Sequence, residues 1–386
     1  MAGSVCVVTV HGIGFQQPPE DGRPGYADIL HENLRRQLGD RLGDDPNRPA
    51  PGGPVYVRSE WKGSPADGLA RLDKGKPLVS VEGRIAHVAL VYSPSEPVDP
   101  RFGATAETLA RAAISHAHYT STLGALRLLL SDAWAALHEH SGGDTSSTLT
   151  PRTDEGAPVH HGLLTRILHP GAQAAAPSSS GAFGILRALE DDVATYVTRN
   201  DVRERVRGFV EDALLMLIDR GDITGVVINS HSQGTVLCWD VLCRLPFTSW
   251  VADGDPRAGR FRHFVTAGSP IRKYVDMFAW GDQVGELSAV LEPVGSLHWH
   301  NFCDPHDPVG DPLNPPTNWR PGDPWGEPPK PDDGLLVARE ESGDVRHVSI
   351  DDTRVDNIRY SSGGGLQAHD YWNNEKEFIP ALAALL

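Results

Sequence analysis

The sequence predicts an α/β fold with a mostly parallel central sheet flanked by helices. Short β-branched runs that are apolar at nearly every position, such as Val5–Val10 and Gly225–Asn229, are typical of strands buried on both faces of a parallel sheet. Stretches with helical periodicity separate these runs, and this alternation indicates parallel βαβ units. The 40 glycines and 31 prolines favour many turns over a helical bundle.

The N-terminal part of the chain supplies three predicted strands and one helix. Val5–Val10 is the first strand, and Tyr26–Leu42 carries leucines at helical spacing. Val55–Trp61 and Arg84–Tyr92 are the second and third strands.

Residues 93–181 interrupt this alternation. They combine one long helical pattern, Ala104–Leu137, with polar and small-residue tracts of low complexity. We interpret 93–181 as an insertion, a candidate lid, within a single domain that spans 1–386.

The alternation of strand and helix resumes after the insertion. In chain order we predict helix Val202–Arg220, strand Gly225–Asn229, a helix ending at Arg244, strands His263–Ala267 and Leu297–Phe302, late strands Val345–Ile350 and Ile358–Tyr360, and a closing helix Tyr371–Leu386.

Charge and composition disfavour several classes of partner. A formal charge of −16 disfavours binding to nucleic acid or to an anionic membrane. The chain has no secretory signal pattern and no apolar run of the roughly eighteen residues that a membrane span needs. The four cysteines form no Cys-x-x-Cys pair and are expected to be reduced thiols. We therefore expect a cytoplasmic protein without a cofactor.

Ser232 lies at the centre of the pattern that carries chemistry. Ser230-His231-Ser232-Gln233-Gly234 follows a buried strand and opens a helix. A sharp strand-to-helix turn exposes such a serine above the sheet and selects small neighbours. The helix that follows points backbone N–H groups at a developing oxyanion. The alternative is that Ser232 only caps this helix.

A second glycine-containing turn follows the first strand, in the segment His11-Gly12-Ile13-Gly14. Glycine lets the chain turn and present an amide to a substrate carbonyl. A dinucleotide-binding loop is disfavoured because the third glycine is missing and no helix starts at once.

Taken together, these segments resemble bacterial lipases and esterases of the α/β-hydrolase superfamily. The resemblance covers about 5–92 and 200–386 and implies an α/β-hydrolase fold with the triad order serine, acid, histidine. It makes Ser232 the nucleophile, His369 the base and Asp307 the acid, with Asp304 as the alternative acid.

The resemblance also assigns supporting residues. The backbone N–H groups of Ile13 and Gln233 would form the oxyanion hole. His11, Gly12, Gly14, His231 and Gly234 would be supporting motif residues, the two histidines by packing or by holding the oxyanion loop. His347 competes with His369 for the base, but it lies in a strand-like run.

The expected activity is hydrolysis of a carboxylic ester, lipid-like or with a small acyl group, through a Ser-His-Asp triad and an acyl-enzyme. Thioester hydrolysis, acyl transfer and peptide hydrolysis use the same triad and stay open. The expected partner is a small-molecule or lipid-like acyl substrate; the sequence does not give the oligomeric state.

Two further alternatives belong to other classes. A non-catalytic interaction protein could retain a hydrolase core. A metal-dependent hydrolase could use the donor-rich segment 298–307, which contains His298, His300, Cys303, Asp304, His306 and Asp307. No strong metal-binding spacing is present, so we expect no metal.

Overall fold

A computed structural model describes most of the predicted core. The described residues are 3–12, 24–48, 52–59, 68–81, 83–92, 196, 200–272, 274, 287, 290–291, 297–307, 309–314, 337–339, 345–347, 350–361 and 367–386. The predicted insertion 93–181, including the helix Ala104–Leu137, lies outside them.

A seven-stranded sheet forms the centre of the molecule. Its strands are β1 (Ser4–Val10), β2 (Val55–Arg58), β3 (Ala86–Val91), β4 (Ile223–His231), β5 (Phe261–Ala267), β6 (His298–Cys303) and β9 (Ile350–Arg354). Their order is β2-β3-β1-β4-β5-β6-β9, and each neighbouring pair is parallel. The predicted parallel sheet is therefore confirmed.

A small two-stranded antiparallel sheet is formed by the chain between β6 and β9. It consists of β7 (Val337–Arg339) and β8 (Val345–His347).

Helices cover both faces of the large sheet, as predicted. They are α1 (Asp28–Leu38), α2 (Asn200–Ile218), α3 (Gln233–Leu242), α4 (Phe247–Ala252), α5 (Asn357–Tyr360) and α6 (Phe378–Ala384). Within these elements, no helix of the described residues is both long and apolar enough to span a membrane.

The two faces of the sheet carry separate apolar cores. Val7 packs with α1 and α6, whereas its neighbour Val8 packs with α2 and α3. Successive strand residues point to opposite faces, which is why a strand covered on both sides is apolar at nearly every position. Each fully buried valine or leucine contributes about 1.5–3 kcal/mol relative to an exposed one.

Three predicted elements near the C-terminus differ from the structure. Ile358–Tyr360 is not a strand but part of α5, because the Asp356 carboxylate accepts a hydrogen bond from the Arg359 amide (3.0 Å) and caps a helical turn. The predicted strand Val345–Ile350 is divided between β8 and the first residue of β9.

The closing helix also starts later than predicted. Tyr371–Asn373 forms a 3₁₀ turn, and the Asn374 side chain accepts the Glu377 amide (2.9 Å) before α6 begins at Phe378. The 3.6-residue apolar period continues through this turn, which is why the sequence pattern places the start too early.

Candidate active site

One edge of the large sheet gathers the residues that the sequence singles out. The carboxyl ends of parallel strands lie at a common edge, where α/β proteins bind their ligands. β1 leads there into His11 and Gly12, β4 into Ser232, β5 into Gly268, and β6 into the segment 304–307.

The backbone of Ser232 is held in an unfavourable conformation. Its φ of 54° and ψ of −129° make it the one non-glycine residue with positive φ in the part of the chain that the structure describes. The Ser232 amide donates to the carbonyl of Ala267 on β5 (3.0 Å), and the Ser232 carbonyl accepts from the Thr235 amide and hydroxyl (3.0 and 2.7 Å). These bonds fix the turn on both sides of the residue.

The Ser232 side chain does not act as a helix cap. It makes no capping hydrogen bond to α3, although Ser232 is the residue that precedes the helix. The capping alternative therefore gives no reason for a serine at this strained position. Backbone strain of this kind is frequent at functional sites.

The turn packs tightly against the end of β1. A methyl group at Gly12 would lie 2.3 Å from Ser232 Cβ and 3.0 Å from its Oγ, and one at Gly234 would lie 2.3 Å from the His11 carbonyl oxygen. The two distances of 2.3 Å are too short for non-bonded atoms, so only glycine fits at positions 12 and 234. Gly12 thus lies directly beside the Ser232 hydroxyl.

Ser230 is the first residue of the Ser-His-Ser-Gln-Gly segment. Its hydroxyl is buried and donates to the carbonyl of Val265 on β5 (2.9 Å). The buried polar group is therefore satisfied within the parallel pairing of β4 with β5.

His369 and Asp307 form a buried pair. The imidazole Nδ1 lies 2.8 Å from Asp307 Oδ2 and 3.0 Å from Oδ1. A carboxylate only accepts, so Nδ1 carries the proton and Nε2 is left as the unprotonated nitrogen of the neutral ring. The exposed fractions of these residues, 5% for His369 and 3% for Asp307, leave little access to water.

The surroundings of Asp307 keep its carboxyl charged. Burial by itself raises the pKa, but the charge and hydrogen bond of His369, the Val309 amide and the Tyr371 hydroxyl outweigh it and lower the pKa. The Val309 amide is 2.8 Å from Oδ1, and the Tyr371 hydroxyl is 2.9 Å from Oδ2.

His369 lies alongside the turn that carries Ser232. The imidazole rings of His369 and His231 have centroids 4.4 Å apart, and His231 Nε2 donates to the His369 carbonyl (2.8 Å). Gly268, which follows the Ala267 that binds the Ser232 amide, has no room for a side chain, since a methyl group there would lie 2.7 Å from His369 Cε1.

The two supporting histidines are buried and neutral. Desolvation lowers the pKa of His231 to about 3 and that of His11 to about 4. His11 donates through Nδ1 to the Gly12 carbonyl (2.7 Å) and stacks on Tyr92 at 4.2 Å. His11 thus holds the turn after β1, whereas His231 holds the segment of His369.

Asp304, the alternative acid, has other partners. Its carboxylate accepts the amides of His306 (2.7 Å) and Asn357 (2.5 Å), which link the segment after β6 to α5. Burial raises the pKa of Asp304 despite these bonds. His347, the alternative base, is the last residue of β8 in the small antiparallel sheet.

The donor-rich segment does not converge on one point. His298 and His300 share a face of β6 and adjoin His263 of β5, while the Cys303 thiol faces Asp352. Among the residues that the structure describes, no group of three His, Cys, Asp or Glu could hold a metal ion.

The predicted oxyanion donors are described only in part. Ile13 lies outside the described residues, as does the supporting motif residue Gly14. Gln233 is the first residue of α3, and a backbone N–H at this position has no acceptor within the helix.

Three residues hold the His–Asp pair through contacts that no sequence pattern predicts. They are Gly268, Tyr371 and Asn357, whose side chain donates to the Ala368 carbonyl (2.7 Å). Of these three residues, only Tyr371 is indicated by the sequence, because it lies two residues after His369.

Comparison of the chain with family models, curated proteins and solved structures finds no match in any of the three.

Proposed function

We propose that this protein is a serine hydrolase of the α/β-hydrolase type that cleaves carboxylic esters through Ser232, His369 and Asp307. The observation that carries the proposal is the positive φ of Ser232 at a strand-to-helix turn, with the His369–Asp307 pair alongside. A strained, buried serine, on a turn that adjoins an imidazole whose Nδ1 is bound to a carboxylate, supplies the parts of a nucleophile with a charge-compensated base.

In the acylation step, Ser232 Oγ attacks the carbonyl carbon of the ester while His369 Nε2 takes the hydroxyl proton. The negative charge on Asp307 compensates the imidazolium that forms. The tetrahedral intermediate then expels the alcohol, which receives the proton from His369 Nε2. The acyl group is left on Ser232.

Water attacks the acyl-enzyme in the second step. His369 takes one proton from this water, the second tetrahedral intermediate collapses, and the proton returns to Ser232 Oγ as the carboxylic acid leaves. The Gln233 amide and the amino end of α3 would stabilise the oxyanion in both steps. The Ile13 amide, assigned from the sequence motif, would be the second donor.

The same proposal covers the finer architecture and the compartment. It takes 93–181 as an insertion into the hydrolase fold, in the place where a lid would arise. The four cysteines are buried and unpaired, which fits a reducing cytoplasm.

Labelling with a fluorophosphonate probe tests the nucleophile. We expect the wild-type protein and Ser249→Ala, an exposed position on α4, to be labelled equally, and Ser232→Ala to remain unlabelled. Labelling of Ser232→Ala at the wild-type level would refute the assignment. A folded wild-type protein that is not labelled would favour a non-catalytic role for the hydrolase core.

A panel of substrates tests which class of acyl compound the protein cleaves. p-Nitrophenyl esters of graded acyl length would be compared with an acyl thioester and a peptide, each with Ser232→Ala as the blank. We expect ester hydrolysis to be the fastest reaction. Faster turnover of the thioester or peptide would retain the triad and change the substrate class.

A further inference from the structure

A buried phenol lies between the two aspartates that follow β6. The Tyr371 hydroxyl donates to Asp307 Oδ2 (2.9 Å) and accepts the backbone amide of Asp304 (2.8 Å). Tyr371 is fully buried. The phenol therefore both donates to and accepts from the segment 304–307, which carries Asp307.

The phenol and the imidazole bind the same carboxylate oxygen. Asp307 Oδ2 accepts from Tyr371 and from His369 Nδ1 (2.8 Å), while Oδ1 accepts the Val309 amide (2.8 Å). Each donor withdraws negative charge from the carboxylate, so a further donor weakens the attraction that the carboxylate exerts on its other partners.

The surroundings keep the phenol in place and protonated. A methyl group at Gly268 would lie 2.8 Å from Tyr371 Cε2, and the Phe378 ring meets the tyrosine ring at 6.0 Å between centroids. Burial raises the pKa of Tyr371 well above its ordinary value, so the hydroxyl remains a donor at every working pH.

We infer that Tyr371 is a positioning residue that sets the basicity of His369 by occupying part of the hydrogen-bonding capacity of Asp307 Oδ2. This inference rests on the proposed function. It assigns to the phenol an effect on the proton-transfer step, in addition to its effect on folding. The alternative is that Tyr371 only fastens the segment 304–307 to the C-terminal part of the chain.

Tyr371→Phe removes the hydroxyl and keeps the ring. Asp307 then has one donor fewer and attracts the imidazolium more strongly. We expect the acid limb of the kcat/KM profile to move to higher pH by about half a unit, since one net hydrogen bond corresponds to less than one unit. We also expect kcat to fall by up to about threefold with KM nearly unchanged, because a more basic imidazole gives its proton to the leaving alcohol less readily.

Tyr56→Phe is a matched control. The Tyr56 hydroxyl also accepts a backbone amide, that of Ala27 (2.9 Å), and donates to a carboxylate, Asp28 Oδ1 (3.0 Å), at the first residue of α1. We expect both variants to lower the unfolding midpoint, and only Tyr371→Phe to change the pH profile. Unchanged profiles in both variants would overturn the inference and leave Tyr371 a structural role.

A spectroscopic measurement separates this inference from the proposed function. The Nδ1 proton of His369 should give a low-field proton NMR resonance, identified by its loss in His369→Gln. We expect it to move further downfield in Tyr371→Phe and to stay in place in Tyr56→Phe. If the wild-type protein hydrolyses no ester, the proposed function fails, whereas an unmoved resonance in Tyr371→Phe contradicts the inference itself.

Replacing Tyr371 by 3-fluorotyrosine tests the inference with the opposite sign and without loss of the hydroxyl. The more acidic phenol is a stronger donor, so the acid limb should move to lower pH and the resonance upfield. This substitution also decides the question if Tyr371→Phe does not fold. A shift in the same direction as that expected for phenylalanine, or no shift, would overturn the inference.

Discussion

The strained backbone of Ser232 allows a prediction in which two equally inactive variants differ in stability. Ser232→Ala and Ser232→Gly both remove the nucleophilic oxygen, so both should be inactive. They differ in Cβ, which makes φ near 54° costly for alanine and not for glycine. Comparing the two variants isolates the strain from the loss of the hydroxyl.

The expected difference follows from two opposing contributions. A non-glycine residue in a sparsely populated region costs about 1–3 kcal/mol, and glycine loses about 0.5–1 kcal/mol more than alanine in backbone entropy on folding. We therefore expect Ser232→Gly to be more stable than Ser232→Ala by about 1 kcal/mol. At Asp212, an exposed position within α2, glycine should be less stable than alanine by about 1 kcal/mol.

Equilibrium unfolding in urea at a fixed pH would measure all four variants, with hydrolysis of a p-nitrophenyl ester recorded in parallel. The reasoning requires the sign of the glycine–alanine difference to reverse between positions 232 and 212. If glycine is the less stable residue at both, the turn at Ser232 stores no strain, and the observation on which the proposed nucleophile depends is removed.

Three other predictions concern the candidate site and the neighbouring strand β9. Gly12→Ala places a methyl group 2.3 Å from Ser232 Cβ. We expect this variant to lower the free energy of unfolding by about 1–3 kcal/mol and to lower kcat/KM more than tenfold. Wild-type activity in this variant would contradict the close packing of Gly12 on Ser232. Asp307→Asn should lower kcat about a thousandfold or more because the base loses its charged partner, whereas Asp304→Asn should retain most of kcat; equal losses in a steady-state assay would contradict the choice of acid. For Asp352, burial raises the pKa of the carboxyl to about 7, although hydrogen bonds from Asn301 and from two backbone amides act to lower it. Because the pKa is higher in the folded than in the unfolded protein, the stability that this carboxyl contributes is present below pH about 4. That stability is lost as the pH rises through about 7. The free energy of unfolding of the wild type minus that of Asp352→Asn, measured in denaturant from pH 4 to 8, should therefore decrease over this interval, and a constant difference would refute the sign.

The sequence predicts the sheet well where strands are buried on both faces. Val5–Val10 and Gly225–Asn229 are found in β1 and β4, because burial by helices on two sides leaves an uninterrupted apolar run. The prediction fails at Ile358–Tyr360, where one carboxylate from Asp356 caps a turn of helix in a segment that also suits a strand. Periodicity does not detect a single capping bond.

The candidate site is only partly accessible to such reasoning. Ser232, Asp307 and His369 stand in local patterns, a strand-to-helix turn, an Asp-Pro turn and a glycine-rich loop, that are visible in one dimension. Gly268 and Asn357 act through contacts with residues far away in the chain, and nothing in their neighbouring residues indicates those contacts. A partner set by tertiary packing leaves no periodic signal.

The strand order has a consequence for how the chain acquires its structure during synthesis. β1 pairs with β3 on one side but with β4 on the other, where Val10 is aligned with Ser230. Until the ribosome has released residues beyond β4, one edge of this apolar strand has no partner, and such edges invite intermolecular pairing. The turn that carries Ser232 is complete only when β1 pairs with β4, two strands that are far apart in the sequence. We therefore expect renaturation to be slow and its yield to fall as the protein concentration rises.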